Sequence, residues 1–183
     1  QLGWLSSWHL REETYGAALA RLVNAQHRMP LAALFGSGAS SSSDGQHFPL
    51  NRRAQATGAV NPHKGSEPAA SFYTHVSDRY APFHSKVISA GAGEAAHVLD
   101  GLLHHGADLS IERHHTDGGG VSDHVFAMCH GMGFLFAPRI PNLSARRLHL
   151  FEGLDPGPDI APLVGEAIDE ELITAHWTDV PVS

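Results

Sequence analysis

The sequence predicts an α/β fold in which three antiparallel strands precede a parallel strand–helix–strand unit. The parallel unit is predicted at 109–137, where a segment with the period of two of a strand is followed by three glycines, an amphipathic helix and a continuously apolar strand. The antiparallel part rests on 71–76 and 83–90, which are rich in β-branched and aromatic residues and flank a turn-like segment, as in a hairpin. An extended, turn-bounded segment at 46–50 supplies the first strand. This order of elements is that of an RNase H-like fold.

The chain is predicted to have three parts. Residues 1–30 form a helical lead-in, because Tyr15, Ala18, Leu19, Leu22 and Val23 make an apolar stripe of helical spacing before Pro30 ends it. Residues 31–140 form the RNase H-like core. After 140 the chain is irregular and rich in proline and glycine, and a final amphipathic segment follows, so 141–183 is predicted to begin an insertion with a helical tail.

Within the core, two further helices and a loop are predicted. The helix at 91–106 carries an apolar stripe and stops at Gly106, and the polar, glycine-punctuated segment 51–68 is a loop. The helix after the three glycines is capped by Ser122 or Asp123 and closed by Gly133 in a left-handed conformation. Its apolar stripe consists of Val125, Met128, Cys129 and Met132.

Composition limits the classes of function. The formal charge of −7 argues against a chain that binds nucleic acid through an overall basic surface. No apolar run approaches the roughly 20 residues of a membrane helix, and no signal peptide is visible. The single Cys129 excludes an internal disulfide, so a cytoplasmic location is expected. Because the chain begins with Gln1, we expect it to be a piece of a longer protein.

Two aspartates occupy positions that this fold brings together. The first strand of an RNase H-like sheet lies beside the fourth, so Asp44 at the head of the first strand and Asp117 at the end of the fourth can share a divalent ion. Carboxylates favour Mg²⁺, and paired ions roughly 3.5–4 Å apart promote phosphodiester displacement. By spacing alone, a second interpretation is stronger, in which Asp44 caps a turn and Asp117 caps the glycine loop.

Several long motifs change this balance. They run in order along nearly the whole chain: SSSDGQ at 41–46, FYTHVSDRYAPFHSKVI at 72–88, HVLDGLLHH at 97–105, HTDGGGVSDHVF at 115–126, GFLFAPRI at 133–140 and ITAHW at 173–177. Through them the chain resembles the DDE catalytic domain of the replicative bacterial transposases of the Tn3 (class II) family. The resemblance implies that Asp44 and Asp117 are the first two catalytic, metal-binding acids.

The resemblance also implies a reaction. Such enzymes use Mg²⁺, with Mn²⁺ as a substitute, to cut transposon ends and free 3′-hydroxyls that attack target DNA. No covalent enzyme–DNA intermediate forms. The expected partners are therefore transposon-end and target DNA and an oligomer with full-length transposase. The expected location is the bacterial cytoplasm, at the nucleoid.

Two features depart from the family pattern. Three glycines follow Asp117 where the family has a bulkier turn. The third acid, a Glu on a later helix, is expected beyond Ser183, so the chain resembles a C-terminally truncated transposase. Glu152 has a familiar spacing from Asp117 but lies in a Gly/Pro-rich stretch, and we reject it. Glu170 and Glu171 match family positions that are not acidic.

Five basic residues are candidates for DNA binding. For Arg79 and Lys86, in the hairpin, phosphate contact and a solvated turn or strand are equally favoured. Arg139, at the end of the apolar strand, is predicted to contact phosphate rather than form a structural ion pair. Arg146 and Arg147 are predicted to form a solvated basic face with a role in DNA binding.

Two other functions compete with the enzyme. The first is a transposase remnant that folds, binds DNA or an intact transposase at most, and cuts nothing. The second is a His-rich zinc protein, suggested by the adjacent pairs at 104–105 and 114–115. Adjacent histidines point in different directions on a strand or a helix, so neither pair makes a convergent site alone.

Overall fold

The structure is a computed structural model that describes residues 2–50, 58–62 and 65–179. Residues 51–57 and 63–64 of the predicted 51–68 loop lie outside the described residues. The chain divides into two compact units, Gln1–Arg139 and Ile140–Ser183, which are described separately. The three-part division expected from the sequence remains a prediction. No helix of the described chain has the length and apolar character needed to cross a membrane.

The first unit is built on a mixed five-stranded sheet with the strand order β3-β2-β1-β4-β5. β1 pairs antiparallel with β2, and β2 with β3, whereas β1, β4 and β5 are parallel. This arrangement confirms the predicted α/β, RNase H-like fold. The strands are β1 (Ser40–Pro49), β2 (Ala69–Ser77), β3 (Pro82–Ser89), β4 (Arg113–Thr116) and β5 (Leu135–Phe136).

β1 begins earlier than the sequence indicated. The serine-rich run before Gln46 has the composition of a linker, yet it forms the first half of this strand. Ser41 and Ser43 are buried there, and their hydroxyls bond to side chains of neighbouring strands. Asp44 therefore lies in the middle of β1, and the prediction that it heads the strand was wrong.

Two helices precede the sheet, α1 (Leu2–Trp8) and α2 (Glu12–His27), and α2 packs against β3. The predicted apolar stripe of α2 is correct at Val23 and at Leu19, which packs against the core, but wrong at Tyr15, Ala18 and Leu22, which are exposed. Ala20 and Val23 are buried, whereas Tyr15 and Leu22 are exposed. The small Ala20 lets the helix approach the sheet closely, and the larger Tyr15 and Leu22 lie outside that contact.

α3 (Val98–Leu103) and α4 (Asp123–Gly131) contribute to the apolar core. A 3₁₀ turn, Glu94–His97, leads into α3. The predicted N-cap and end of α4 are confirmed. Ser122 Oγ accepts the backbone N–H of Val125, and Gly133 adopts a positive φ of 82°. Val98, Leu99 and Leu102 are buried on α3, and Val125 and Cys129 on α4.

The continuously apolar segment predicted as the last strand forms only the short β5, and β5 is not buried on both faces. It has two residues, of which Phe136 is buried and Leu135 is 56% exposed. It lies at the end of the described sheet, and its inner face packs on the core through Phe136. The parallel hydrogen bonds nevertheless continue beyond it, from Ala137 to His114 and from Arg139 to Thr116.

The second unit has little regular structure. One parallel bridge joins Leu148 to Val164, and short 3₁₀ turns occur at Leu143–Ala145, Ala161–Leu163 and Trp177–Asp179. The predicted helical tail is limited to α5 (Glu170–Ala175), where the Asp169 carboxylate accepts the backbone N–H of Leu172. The amphipathic pattern before α5 does not form a continuous helix, because the backbone N–H of Gly165 bonds to Leu148 instead.

Candidate metal centre

Three carboxylates converge at one edge of the sheet. Asp44, Glu94 and Asp117 each offer an oxygen, and these oxygens all lie within 4.8 Å of one another. Across the residues that the structure describes, this is the single group of three or more potential metal ligands. Asp44 and Asp117 are exposed and Glu94 is half-buried, so the site is open to solvent on one side.

The pairing of β1 with β4 places the two aspartates side by side. The parallel ladder runs from Ser40 opposite Arg113 to Ser43 opposite Thr116. Asp44 and Asp117 are the next residues on their strands, so they stand together just past the last paired position. The structure thus brings together the two acids that sequence reasoning selected.

Glu94 is the member that sequence reasoning missed. β3 runs in the same direction as β1, because each is antiparallel to β2. The chain therefore leaves β3 at the edge where Asp117 follows β4, and the turn that begins with Glu94 returns across that edge. A signal was available, since an acid shortly after the third strand of this topology must arrive near the site. Glu94 is an additional carboxylate at this edge, and the third acid expected beyond Ser183 remains a prediction.

Two glycines make room for the Glu94 carboxylate. A Cβ added at Gly45 would lie 2.7 Å from Glu94 Cδ, and one added at Gly119 would lie 3.0 Å from Glu94 Oε2. A larger residue at either position would force this carboxylate to move. Three oxygen donors of one charge sign, grouped with space preserved around them, suit a hard divalent cation such as Mg²⁺. The residues present therefore fit the metal that the family implies.

Asp117 caps the glycine turn as the second interpretation predicted, whereas Asp44 lies within β1 and caps no turn. Asp44 Oδ1 accepts the backbone N–H of Gly45 at 2.7 Å, and Asp117 Oδ1 accepts that of Gly119 at 2.9 Å. A carboxylate oxygen has two lone pairs, so these bonds leave capacity for a cation. Each bond restricts the orientation of its carboxylate, and the capping role of Asp117 is compatible with metal binding.

The carboxylate cluster affects the pKa of Tyr73, whose side chain lies in the core. Burial raises the pKa of its phenol first, and the negative charges of Glu94, Asp117 and Asp44 raise it further against the opposing hydrogen bond to Ser43. Tyr73 is almost fully buried, so its phenol stays protonated and acts as a neutral hydrogen-bonding group.

The two hairpin residues predicted to bind DNA make protein contacts. The Arg79 guanidinium donates to the backbone carbonyls of His27, Gly36 and Ser37 at 2.6–3.0 Å. Lys86 Nζ lies 2.6 Å from Asp100 Oδ2. This hydrogen bond raises the pKa of Lys86 and lowers that of Asp100. The assignment of both residues to DNA remains a prediction.

The other three basic candidates are exposed. Arg139 belongs to the first unit, and its backbone N–H donates to the carbonyl of Thr116, the residue before Asp117. Arg146 and Arg147 belong to the second unit, where Arg147 Nη1 donates to the carbonyls of Ser144 and Arg146. Of the five candidates, Arg139 is the one whose backbone is bonded next to a member of the carboxylate cluster.

The remaining acids and histidines do not add ligands in the described chain. Glu152, Glu170 and Glu171 are exposed residues of the second unit. His114 is fully buried, and His115 is exposed and bonded to the carbonyl of Ala137. His104 bonds to Asp100, and His105 to Ala107. No histidine joins a group of three potential metal ligands among the described residues.

Comparison with known proteins gives a consistent result. The sequence model of the protein family described as Tn3 transposase DDE domain matches residues 1–181 of the chain. The chain is 49% identical over 180 residues to the transposase for transposon Tn501 of Pseudomonas aeruginosa, and 47% identical over 180 residues to that for Tn21 of Escherichia coli. It is 37% identical over 180 residues to the transposase for Tn1546 of Enterococcus faecium. Each alignment covers 98% of this chain and 18% of the relative, so the chain spans under a fifth of those transposases. The chain therefore belongs to the Tn3 transposase DDE domain family.

Proposed function

We propose that this chain is a fragment of the catalytic domain of a DNA transposase that carries its first two catalytic acids, Asp44 and Asp117. These two acids, together with Glu94, bind Mg²⁺, with Mn²⁺ as a substitute. The reaction is cleavage at transposon ends and transfer of the freed 3′-hydroxyls to phosphodiesters of target DNA during replicative transposition. The convergence of the three carboxylate oxygens within 4.8 Å carries the proposal. Membership of a transposase DDE family supplies the reaction class.

Electrostatics supports a cation at this position. Three carboxylates held this close repel one another, and a divalent ion relieves that repulsion. When bound, Mg²⁺ would polarise the scissile phosphate and activate the attacking oxygen. Asp44 and Asp117 are held in place by their backbone bonds to Gly45 and Gly119. These acids would hold the ion, and the protein would contribute by orienting the reacting groups.

DNA binding is assigned to exposed basic residues of the chain. Arg139 is best supported, because its backbone bond to Thr116 places it beside the residue that precedes Asp117. Arg146 and Arg147 are the candidates in the second unit, and Lys86 and Arg79 are weaker candidates because of their protein contacts. We propose that the domain acts in the bacterial cytoplasm, at the nucleoid, as an oligomer with full-length transposase.

A second candidate function is a catalytically inactive remnant that folds and at most binds DNA or an intact transposase. The formal charge of −7 favours it, because an acidic chain repels the DNA backbone outside its basic patches. The remnant predicts DNA binding without strand cleavage, so a cleavage assay separates the two functions.

The first test is calorimetric titration of the chain with Mg²⁺ and Mn²⁺. We expect the Asp44→Ala and Asp117→Ala variants to lose binding, and Glu94→Gln to weaken it by about 10-fold or more, because each removes a charged oxygen ligand. Glu152→Gln is the matched control, since it removes an acid that we exclude from the site. Unchanged binding in either aspartate variant would remove that residue from the site.

A strand-cleavage assay on transposon-end DNA follows the titration. Mg²⁺-dependent cleavage that is abolished by Asp44→Ala supports the enzyme. Metal binding that requires both aspartates but gives no cleavage, even when the chain replaces the matching segment of an intact transposase, supports the remnant instead.

A further inference from the structure

A buried hydrogen-bond network lies beneath the carboxylate cluster and joins three adjacent strands. His114 of β4 bonds to two serines of β1, with Nδ1 2.8 Å from Ser41 Oγ and Nε2 2.8 Å from Ser43 Oγ. Ser43 Oγ in turn lies 2.7 Å from the hydroxyl of Tyr73 on β2. All four side chains are buried, and those of His114 and Tyr73 almost completely. One imidazole therefore bridges two positions of the neighbouring strand.

The place of this bridge relative to the acids is informative. The backbone ladder between β1 and β4 ends at Ser43 opposite Thr116, and Asp44 and Asp117 follow immediately. The bond between His114 and Ser43 is thus a side-chain tie at the last rung before the two acids. Without this side-chain bond, only the backbone hydrogen bonds at the end of a four-residue ladder would hold β1 to β4 near the acids.

The chemistry of the imidazole makes the tie specific. Burial and, to a smaller extent, the neighbouring His75 and His115 together lower the pKa of His114 to about 3, so the ring is neutral at neutral pH. A neutral imidazole has one N–H and one free lone pair. It therefore donates to one of the two serines and accepts from the other. Both ring nitrogens are satisfied only when β1 and β4 keep this register.

We infer that His114 is a positioning residue, which sets the separation of Asp44 and Asp117 by tying β4 to Ser41 and Ser43. The inference rests on the proposed metal function. The neighbouring His75 makes a useful contrast: it is equally buried and stacks on His114, but its Nε2 bonds to the carbonyl of Val98 on α3. His75 connects the sheet to a helix, whereas His114 connects the two strands that carry the aspartates.

The test measures Mg²⁺ affinity by calorimetry together with the thermal midpoint. We expect Ser43→Ala to weaken Mg²⁺ binding by about 10-fold, as for other groups that orient metal ligands, and Ser41→Ala by about threefold or less. The two substitutions remove the same chemical group from one strand, at different distances from Asp44. His114→Leu should match or exceed Ser43→Ala. His114→Gln should restore part of the affinity, because its amide can reach the Ser43 hydroxyl.

Val125→Ala provides the control for stability, because it removes buried volume on α4 without touching the network. We expect it to lower the thermal midpoint and leave Mg²⁺ affinity within about twofold. If Ser43→Ala and His114→Leu lower the midpoint but bind Mg²⁺ as tightly as the parent, the network is purely structural and the inference is wrong. If His114→Leu does not fold, the comparison of Ser43→Ala with Ser41→Ala still tests the inference.

Failure of the proposed function would look different. A parent chain whose Mg²⁺ binding is absent, or unaffected by Asp44→Ala and Asp117→Ala, would remove the metal site and the positioning role with it. Binding that needs both aspartates but is insensitive to Ser43 and His114 would refute the positioning role alone.

Discussion

Substitution of Gly45 by alanine tests whether Glu94 is a metal ligand. The added Cβ would lie 2.7 Å from Glu94 Cδ and closer still to Oε1, whereas ordinary contacts begin at 3.4 Å. The carboxylate must therefore move by about 0.7 Å or more. Mg²⁺ requires ligand distances near 2.0–2.1 Å, so a shift of that size removes the ligand. We expect Mg²⁺ affinity to fall by about 10- to 100-fold, which corresponds to about 1.4–2.7 kcal/mol.

The stability of Gly45→Ala should not fall with its affinity. The obstructing atoms belong to the end of a flexible side chain that can turn to solvent. Alanine also reduces the freedom of the unfolded chain, which is worth about 0.4–1 kcal/mol where the backbone is compatible. Gly93→Ala is the matched control, because a Cβ there meets nothing within 4 Å. Both variants are measured by Mg²⁺ calorimetry and thermal unfolding.

A double substitution closes this test. If Glu94 transmits the effect, Gly45→Ala should cost little further affinity once Glu94→Gln is present. Gly119→Ala should have a smaller effect than Gly45→Ala, since its Cβ would lie 3.0 Å from Glu94 Oε2 and a shift of a few tenths of an ångström suffices. Unchanged affinity in Gly45→Ala would refute the assignment of Glu94 to the site.

Three further predictions concern stability and DNA binding. Gly101→Ala should destabilise the fold by about 1–3 kcal/mol in urea titrations, because its Cβ would lie 2.5 Å from Cγ of the fully buried His75. Burial lowers the pKa of His75 to about 4 and that of His114 to about 3, below the unfolded value of 6.5. Their contribution is therefore complete above pH 6.5 and is lost as the pH falls toward the folded values, by about 2 kcal/mol per histidine at pH 5 in urea titrations. Arg79→Gln should lower the thermal midpoint because three carbonyls lose their donor, whereas Arg139→Gln should leave the midpoint unchanged and weaken DNA binding in a salt-dependent manner.

Each of these has a contrary outcome. Gly16→Ala, in an exposed part of α2 where a Cβ meets nothing within 4 Å, should be neutral or stabilising, so an equal loss there would discount the clash at Gly101. A free energy of unfolding that is constant between pH 7 and pH 5 would show that the buried histidines titrate normally. DNA affinity that falls for Arg79→Gln but not for Arg139→Gln would reverse their proposed roles.

The sequence by itself determined the elements whose causes are local. The β2–β3 hairpin follows from two β-rich segments around a turn, and α4 from a Ser122 cap and a closing Gly133. The strand order and the closeness of Asp44 to Asp117, just past the last paired residues, then followed from the order of those elements. Only the tertiary structure decided that the serine run at 40–43 forms part of β1. Its composition favours a linker, but Ser41 and Ser43 become core residues because buried His114 and Tyr73 satisfy their hydroxyls.

The same limit explains why Glu94 was missed. Its neighbours show a helix start and nothing about metal, since a ligand set is defined by distances between residues far apart in the chain. The parallel run of β3 and β1 and the space left by Gly45 and Gly119 bring its carboxylate to the aspartates. Local propensity acts over a few residues, whereas this cluster spans the sheet. The sequence therefore indicated two acids that could share a site, and the packing of the strands decided that Glu94 lies beside them.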